Sequence, residues 1–310
     1  MTRKALGPAT LQLVQAVAAM ASTSMLVACS GGADSMALAA AAAIVGRRRK
    51  LGVRALVVDH GLQDGSRQTA ELAVERLWTA EIAAQVVTVR VDTTAGTGIE
   101  AAARLARYQA LQDAARPAEI ILLGHTLDDQ AETVLLGLAR GSGIRSLAGM
   151  PPVRGPFRRP LLSVRRSVTR QACAELALEW WDDPQNAEPR FTRVRVRQRV
   201  LPVLEEELGP GVAEALARTA ESARIDADYL DTLADTAKTE METDTLNRLD
   251  PAIRLRIIRD WLRAGGSTEL GSVHLQAVDA LVTDWHGQKF VDVPGLRVRR
   301  INGQLVAEAD

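Results

Sequence analysis

The chain has 310 residues, 47% of them hydrophobic and 25% charged, with 38 basic and 38 acidic side chains and a formal net charge of zero. That length leaves room for a substantial core and a division into two domains of ordinary size, and the composition sets the chain apart from disordered, fibrous or membrane-embedded proteins. Cys29 and Cys173 provide no disulfide framework or metal cluster and the four histidines never stand at the spacing of a helical zinc site, so a reducing cytoplasm is expected, and any metal should arrive with a phosphate ligand.

Residues 1–29 begin with Arg3 and Lys4 and end Leu26-Val27-Ala28-Cys29, the outline of a lipoprotein cleavage site. Gln12, Gln15, Ser22, Thr23 and Ser24 interrupt the apolar core that a signal peptide needs. The apolar run 36–45 is too short to cross a bilayer, so no membrane partner is expected. From residue 24 short apolar runs alternate with longer Ala- and Leu-rich stretches of helical period, the pattern of βαβ units and a parallel sheet. Strands are predicted over 24–28, 53–59, 85–91 and 119–124, and helices over 34–46, 66–83, 99–115 and 128–140. Thr97 followed by Glu100 fits a capping box at the third helix. Ligands of an open parallel sheet bind beyond the carboxyl ends of its strands, which directs attention to residues 29–35, 59–62, 92–100 and 125–132.

Residues 141–160 are too polar and too punctuated by Gly and Pro for a core, and read as a functional loop. The chain then looks mainly helical over 164–178 and 193–285, with a break at Leu208-Gly209-Pro210-Gly211. Its tail alternates apolar and polar residues around Pro294-Gly295 and Asn302-Gly303, a hairpin signal. The expected fold is α/β: a parallel-sheet catalytic domain over 1–208, then a smaller, mainly helical domain over 209–310 ending in a β-hairpin. Residues 140–200 hold 13 Arg against 5 acidic residues, net +8, and residues 201–250 hold 13 acidic against 4 basic, net −9. Such a basic block suits a phosphate backbone; two solvated faces that attract each other across a domain boundary are the alternative.

Ser30-Gly31-Gly32-Ala33-Asp34-Ser35 follows the first strand with two glycines, two hydroxyls and a helix N-terminus, the parts of a phosphate cradle. The lysine of a Walker loop is missing, and an ordinary strand-to-helix turn uses the same residue types. The motif S-G-G-x-D-S resembles the pyrophosphate loop of the N-type ATP pyrophosphatases. That resemblance implies cleavage of ATP between its α- and β-phosphates and an adenylated intermediate. It places Ser30, Gly31, Gly32, Ala33 and Ser35 around phosphate oxygens and gives Asp34 a catalytic role as the ligand of Mg2+.

Within that family, the run from Gly124-His125-Thr126 through Asp128-Asp129 to Glu132-Thr133, followed by Arg140-Gly141-Ser142-Gly143, resembles the tRNA(Ile)-lysidine synthetases. Val58-Asp59-His60-Gly61-Leu62, Glu100 to Arg104 with Arg107-Tyr108, and Arg159-Pro160-Leu161-Leu162 match as well, so the likeness covers about the first 205 residues. It implies two further substrates, free L-lysine and the isoleucine tRNA with a CAU anticodon. ATP would adenylate the wobble cytidine and the lysine amine would then attack its C2. Helical spacing puts Asp129 and Glu132 on one face, where carboxylates can hold an ammonium; an acidic first turn favoured by the helix dipole is the plain alternative. The resemblance assigns Asp129 and Glu132 to lysine, Asp59 and His60 to ATP, and His125 and Arg104 to catalysis. It places Arg140, Arg159, Arg193 and Arg195 on the substrate side.

Arg107, one turn from Arg104, is expected in a surface salt bridge. Arginine alternates with Val or Gln over 193–199, with Val194 where the family commonly has Asn. Contact with the tRNA backbone is preferred there to a charge-protected strand edge. A tRNA thiolase would need cysteines that Cys29 and Cys173 do not supply, and a GMP synthetase a glutaminase domain that the sequence does not show. A non-catalytic nucleotide- or tRNA-binding module of the same fold is the rival from another class. Assembly as a homodimer is left open.

Overall fold

A computed structural model describes residues 5–61, 65–91, 98–141, 143–182, 188–237, 240–268 and 270–309. Leu62, Ser142 and the side chains of the Thr97–Glu100 capping box lie outside the described residues. The chain divides into two compact units, Met1–Leu135 with Met150–Arg218, and Leu136–Gly149 with Thr219–Asp310. The division at Arg218 falls beyond the 208–211 turn, inside a long helix.

In the first unit β1 (Met25–Cys29), β2 (Val53–Asp59), β3 (Ala83–Thr88) and β4 (Ile120–Leu123) are all parallel, in the order β3-β2-β1-β4. β1 and β4 are unbroken apolar runs because helices cover both faces of a parallel sheet. Two short strands, β5 (Val153–Arg154) and β6 (Phe157–Arg158), continue the sheet past β4, with β6 parallel to β4 and β5 antiparallel to β6. The stretch read as a loop therefore also makes the sheet edge. Strands of two residues are too short to show any alternation in sequence.

Helices α1 (Pro8–Met20), α2 (Ala33–Arg49), α3 (Ser66–Thr79), α4 (Ile99–Ala114) and α5 (Leu127–Ala139) lie between or beside these strands in sequence. After α6 (Ile144–Leu147), which falls in the second unit, come α7 (Arg166–Glu175), α8 (Thr192–Arg195) and α9 (Leu201–Glu207). Side chains of β1 alternate between the two faces. Met25 and Val27 join α1, α2 and α7 in one core with Leu13, Val17, Met36, Leu38 and Leu161. Leu26 meets Leu56, Leu111, Ile121, Leu123 and Phe157 under α4 on the other face. Helix α2 is apolar all round because it is enclosed: Ala37, Leu38, Ala39, Ala41 and Ala42 are buried. The next strand comes so close that a Cβ on Gly46 would stand 2.3 Å from Val53 Cγ2.

The alanine-rich stretch that outwardly resembles a leader is α1, whose Leu13, Val14 and Val17 are buried in the same core. Its first amides are capped from a distance: Glu175 accepts from Ala9 N–H at 3.1 Å, Thr10 N–H at 2.8 Å and Thr10 Oγ1 at 2.6 Å. The arginine run 193–199 is helical. It passes from α8 through one π-helical turn, Val196–Val200, into α9, so the strand-edge alternative falls. Val194, Val196 and Leu201 supply the buried face that holds it as a helix.

The second unit takes α10 (Val212–Thr236) from Thr219 onward. With it come α11 (Thr243–Asn247), α12 (Pro251–Ala264), α13 (Ser272–Thr283) and an antiparallel sheet of β7 (Val291–Val293), β8 (Leu296–Ile301) and β9 (Gln304–Ala309). Leu246, Ile258, Leu262, Val278, Leu281 and Val298 form its core. Asn302 at φ 48° and Gly303 at φ 79° make the β8–β9 turn, the positive pair for which Asn-Gly is suited.

Candidate functional site

The sheet order reverses direction at β1, which has β2 on one side and β4 on the other. This is the switch point at which open α/β sheets form a ligand crevice. Residues 30–35 leave β1 there and enter α2. Gly31 sits at φ 81°, where an added Cβ would stand 3.0 Å from Ala73 Cβ. Ser35 Oγ donates to Gly32 O at 2.9 Å and accepts from Ser30 N–H at 3.1 Å, with Ser30 Oγ 3.3 Å away. Trp181 N–H donates to Gly31 O at 2.9 Å and fixes the loop from outside. The hydroxyls are thus already gathered at the N-terminus of α2, whose first amides favour an anion.

Beside the loop stands a cluster of carboxylates and arginines. Asp34 of α2 accepts from the Thr169 hydroxyl and from Arg166 Nε at 3.3 Å. Arg166 also reaches Asp129 Oδ1 at 2.8 Å and Glu132 Oε1 at 3.5 Å, and its amide donates to Asp128 at 2.7 Å. Glu132 is wholly buried, taking Arg193 Nε at 2.8 Å on one oxygen and Arg197 Nε at 2.7 Å on the other. Burial pushes the Asp34 carboxyl up, against its contacts with Thr169 and Arg166. Burial also acts to raise Asp129, but Arg166 and the Thr126 N–H outweigh it and hold that carboxyl low.

The four residues assigned to the substrate side are dispersed. Arg193 turns inward to Glu132, whereas Arg195 donates to the carbonyls of Pro189 and Arg190 at 2.8 and 2.9 Å. Arg140 is exposed and belongs to the second unit, and Arg159 is buried with 3% exposure. At the end of β2, Asp59 is buried and accepts from Gly61 N–H at 3.0 Å.

His125, directly after β4, has its Nδ1 shielded from solvent without a partner among the described residues, and so has His60 after β2. Burial, opposed by Asp129 and reinforced by Arg159, Arg107 and Arg104, lowers the His125 pKa to about 3. Its imidazole is neutral. Burial and Arg107 lower His60 as well. Arg107 does not make the surface salt bridge expected of it: its Nε is shielded and without a partner among the described residues, and burial lowers its pKa. Tyr108 offers both arginines its ring in place of a carboxylate, with the guanidinium carbons of Arg107 and Arg104 at 5.7 and 5.1 Å from its centroid; Arg107 is shielded there while Arg104 stays exposed. Thr169 and Tyr108 take no individual role from sequence, and Arg197, expected on the tRNA backbone with the rest of its run, turns to Glu132 instead. Arg197 lies four residues after Arg193, which in a helix places both on one face; nothing local marks Thr169.

A family model described as the PP-loop domain matches residues 8–204, and one described as the TilS substrate binding domain matches residues 242–306. The tRNA(Ile)-lysidine synthase of Leifsonia xyli is 51% identical over 294 residues, covering 91% of this chain and 88% of that protein. That of Rhodococcus opacus is 52% identical, covering 90% and 88%, and that of Mycobacterium tuberculosis 51% identical, covering 86% and 83%. Among solved structures, the U34-tRNA thiolase NcsA from Methanococcus maripaludis has the same fold, with a TM-score of 0.54 at 17% identity over 69% of this chain and 77% of that one. With a PP-loop at the switch point, both family models in order along the chain and relatives half identical over nearly its whole length, the chain belongs to the tRNA(Ile)-lysidine synthase family, ligases built on the PP-loop ATP pyrophosphatase domain.

Proposed function

We propose that the protein ligates free L-lysine to C2 of the wobble cytidine in the CAU anticodon of isoleucine tRNA. The change moves codon recognition from AUG to AUA and tRNA identity from Met to Ile. The observation that carries the reading is the meeting of the hydroxyl-lined loop, Asp34, and the Asp129–Glu132 pair at one switch point. In the first step the cytidine carbonyl oxygen attacks the α-phosphorus of ATP. The bond to the β-phosphate breaks, and pyrophosphate leaves into the cradle of Ser30, Gly31, Gly32, Ala33 and Ser35. In the second step the lysine amine bonds to C2, the C–O bond breaks, AMP leaves, and the amine releases a proton.

Asp34 fits magnesium brought in by the nucleotide. Among the described residues no three His, Cys, Asp or Glu side chains gather into a cage, and Mg2+ is commonly held by one or two carboxylates together with substrate phosphates. When bound, the ion would offset the charge of the departing pyrophosphate. Asp59 and His60, after β2, serve the nucleotide. Neutral His125 can hydrogen-bond the reacting oxygen without bringing a charge, and Arg104 stabilises the negative charge that develops.

Lysine is assigned to Asp129 and Glu132. Since Arg166 and Arg197 share Asp129 Oδ1, at 2.8 and 3.4 Å, the substrate ammonium would take over part of that contact. Arg193 and Arg197 then hold the Glu132 carboxyl in place, one on each oxygen. Arg140 and Arg195 are assigned to tRNA and Arg159 to the substrate side more broadly, with residues 209–310 adding a tRNA-binding domain, and the setting is the cytoplasm. The test is an assay with ATP, lysine and a transcript of this tRNA, following pyrophosphate and the mass of the anticodon fragment. Lysine-dependent mass gain at the wobble cytidine is expected. Pyrophosphate release with no lysine attached would overturn the reading.

A further inference from the structure

Arg104, Arg107 and Arg159 converge on one side chain, Tyr108. Arg104 and Arg159 each donate to its phenolic oxygen at 3.2 Å, Arg104 and Arg107 lie over its ring, and the ring rests against Phe157 at 4.8 Å. Among the described residues none of the three guanidiniums forms an ion pair with a carboxylate, in contrast to Arg165, Arg166, Arg193 and Arg197 nearby in the fold. Arg159 is 3% exposed, with Nε shielded and without a partner, and it is fixed further by the Pro151 carbonyl at 2.8 Å. Placing uncompensated guanidinium charge in a shielded position is costly unless an anion completes it. Planar guanidiniums suit phosphate oxygens, which accept paired N–H donors. All three arginines act electrostatically on His125 at the end of β4, and Arg107 acts also on His60 at the end of β2. Arg159 directly follows β6 and His125 comes two residues after β4, and these two strands pair in parallel, so the group lies at the carboxyl ends of the strands, where the crevice opens.

We propose that Arg104, Arg107 and Arg159 form a seat for one phosphate group, and that Tyr108 is the positioning residue that holds the seat open before the phosphate arrives. The proposal deepens the ligation reading and rests on it. Two sources share the chemistry, the α-phosphate of the nucleotide and a backbone phosphate of the anticodon loop. The place beside His125, where the adenylyl group is transferred, favours the α-phosphate.

The test uses the full-length protein with Arg159→Gln, Arg159→Lys and Tyr108→Phe. Binding of magnesium α,β-methylene-ATP is measured by calorimetry, and binding of the tRNA transcript without nucleotide by filter retention at several salt concentrations. The expected result is that Arg159→Gln weakens the nucleotide about tenfold or more at a native melting temperature. Arg159→Lys should restore part of this, and Tyr108→Phe, which keeps the ring and releases two guanidiniums, should lose affinity for the same ligand. A loss confined to tRNA, with a salt slope smaller by about 0.7 to 0.9, supports the seat and assigns it to the backbone phosphate. A loss of both ligands at a native melting temperature supports a seat bridging them. Native affinity for both, or small equal losses accompanied by a lowered melting temperature, would overturn it. Failure of the ligation reading would show separately, as native protein that attaches no lysine.

Discussion

At the scale of single residues, the site depends on how burial and charge set each group's ionisation. Asp34 faces the loop and contributes no packing to the core, so Asp34→Ala should abolish pyrophosphate release while the melting temperature stays near native; release at the native rate by a folded variant would count against its role. Glu132 behaves differently. Its carboxyl is wholly buried while Arg193 and Arg197 are partly exposed, so Glu132→Gln weakens two charge-assisted bonds and should cost about 1.5 to 3 kcal/mol in urea denaturation. Because it also loosens Asp129, the apparent lysine constant should rise at least about tenfold with ATP affinity little changed, which calorimetry can separate. For His125 the sign follows from the lowered pKa. An unfolded histidine takes up a proton near pH 6.5, but the folded one only near 3. Between those values the unfolded chain binds more protons, so the His125 contribution to stability is present above about pH 6.5 and is lost as pH falls toward 3. The His125 ring resonances should stay flat from about pH 8 to pH 5 in an NMR titration. A transition near 6.5 would mean that the imidazole is not shielded.

At the scale of elements, two helix and strand ends are held by partners distant in sequence. Glu175 of α7 caps α1 through two amides and a hydroxyl, so Glu175→Ala should lower the melting temperature, whereas Glu175→Gln, which keeps the acceptor oxygen, should recover part of it. At the amino ends of the strands, away from the site, Arg54 of β2 and Glu119 before β4 form a buried pair at 2.6 Å, and Glu119 also accepts from Arg116 N–H at 2.9 Å. Burial acts to raise the Glu119 carboxyl, but the bonds from Arg54 and Arg116 outweigh it and hold it below its ordinary value. Glu119→Ala should therefore destabilise by roughly 3 kcal/mol, measured at neutral pH by urea titration.

At the scale of the whole molecule, the basic block of residues 140–200 is less available than its net charge of +8 suggests. Arg165 is paired with Glu205 and Glu214, Arg145 with Asp228 and Asp231, and Arg166, Arg193 and Arg197 with the site carboxylates. Part of each block thus neutralises the other within its own unit. Affinity for tRNA should still fall with salt, by about 0.7 to 0.9 log units per log unit of salt for each phosphate neutralised. Exposed arginines outside these pairs should carry the slope. A slope unchanged when Arg195 and Arg199 are both replaced by Gln would remove that arm of the block from the interface.

The parallel α/β sheet, the pyrophosphate loop and the terminal hairpin are legible in the order of the residues. Each is written in contiguous residues: unbroken apolar runs such as Met25–Cys29, glycines and hydroxyls in one turn, and Asn302-Gly303 at positive φ. Helix α1 was hidden, since an alanine-rich amphipathic stretch becomes a helix only through the core it joins and through Glu175, which is remote in sequence. Which arginine meets which partner depends on the folded chain. Arg107 and Arg145, Arg159 and Arg166 are alike as letters, and a guanidinium on a flexible stem takes its role from whatever carboxylate, ring or carbonyl the fold brings within reach. Arg166 meets Asp34, Asp129 and Glu132 across the meeting of α2, α5 and α7, while Arg159 and Arg107 meet Tyr108 and, among the described residues, no acid. Those contacts are long-range in sequence, and local pattern carries no information about them.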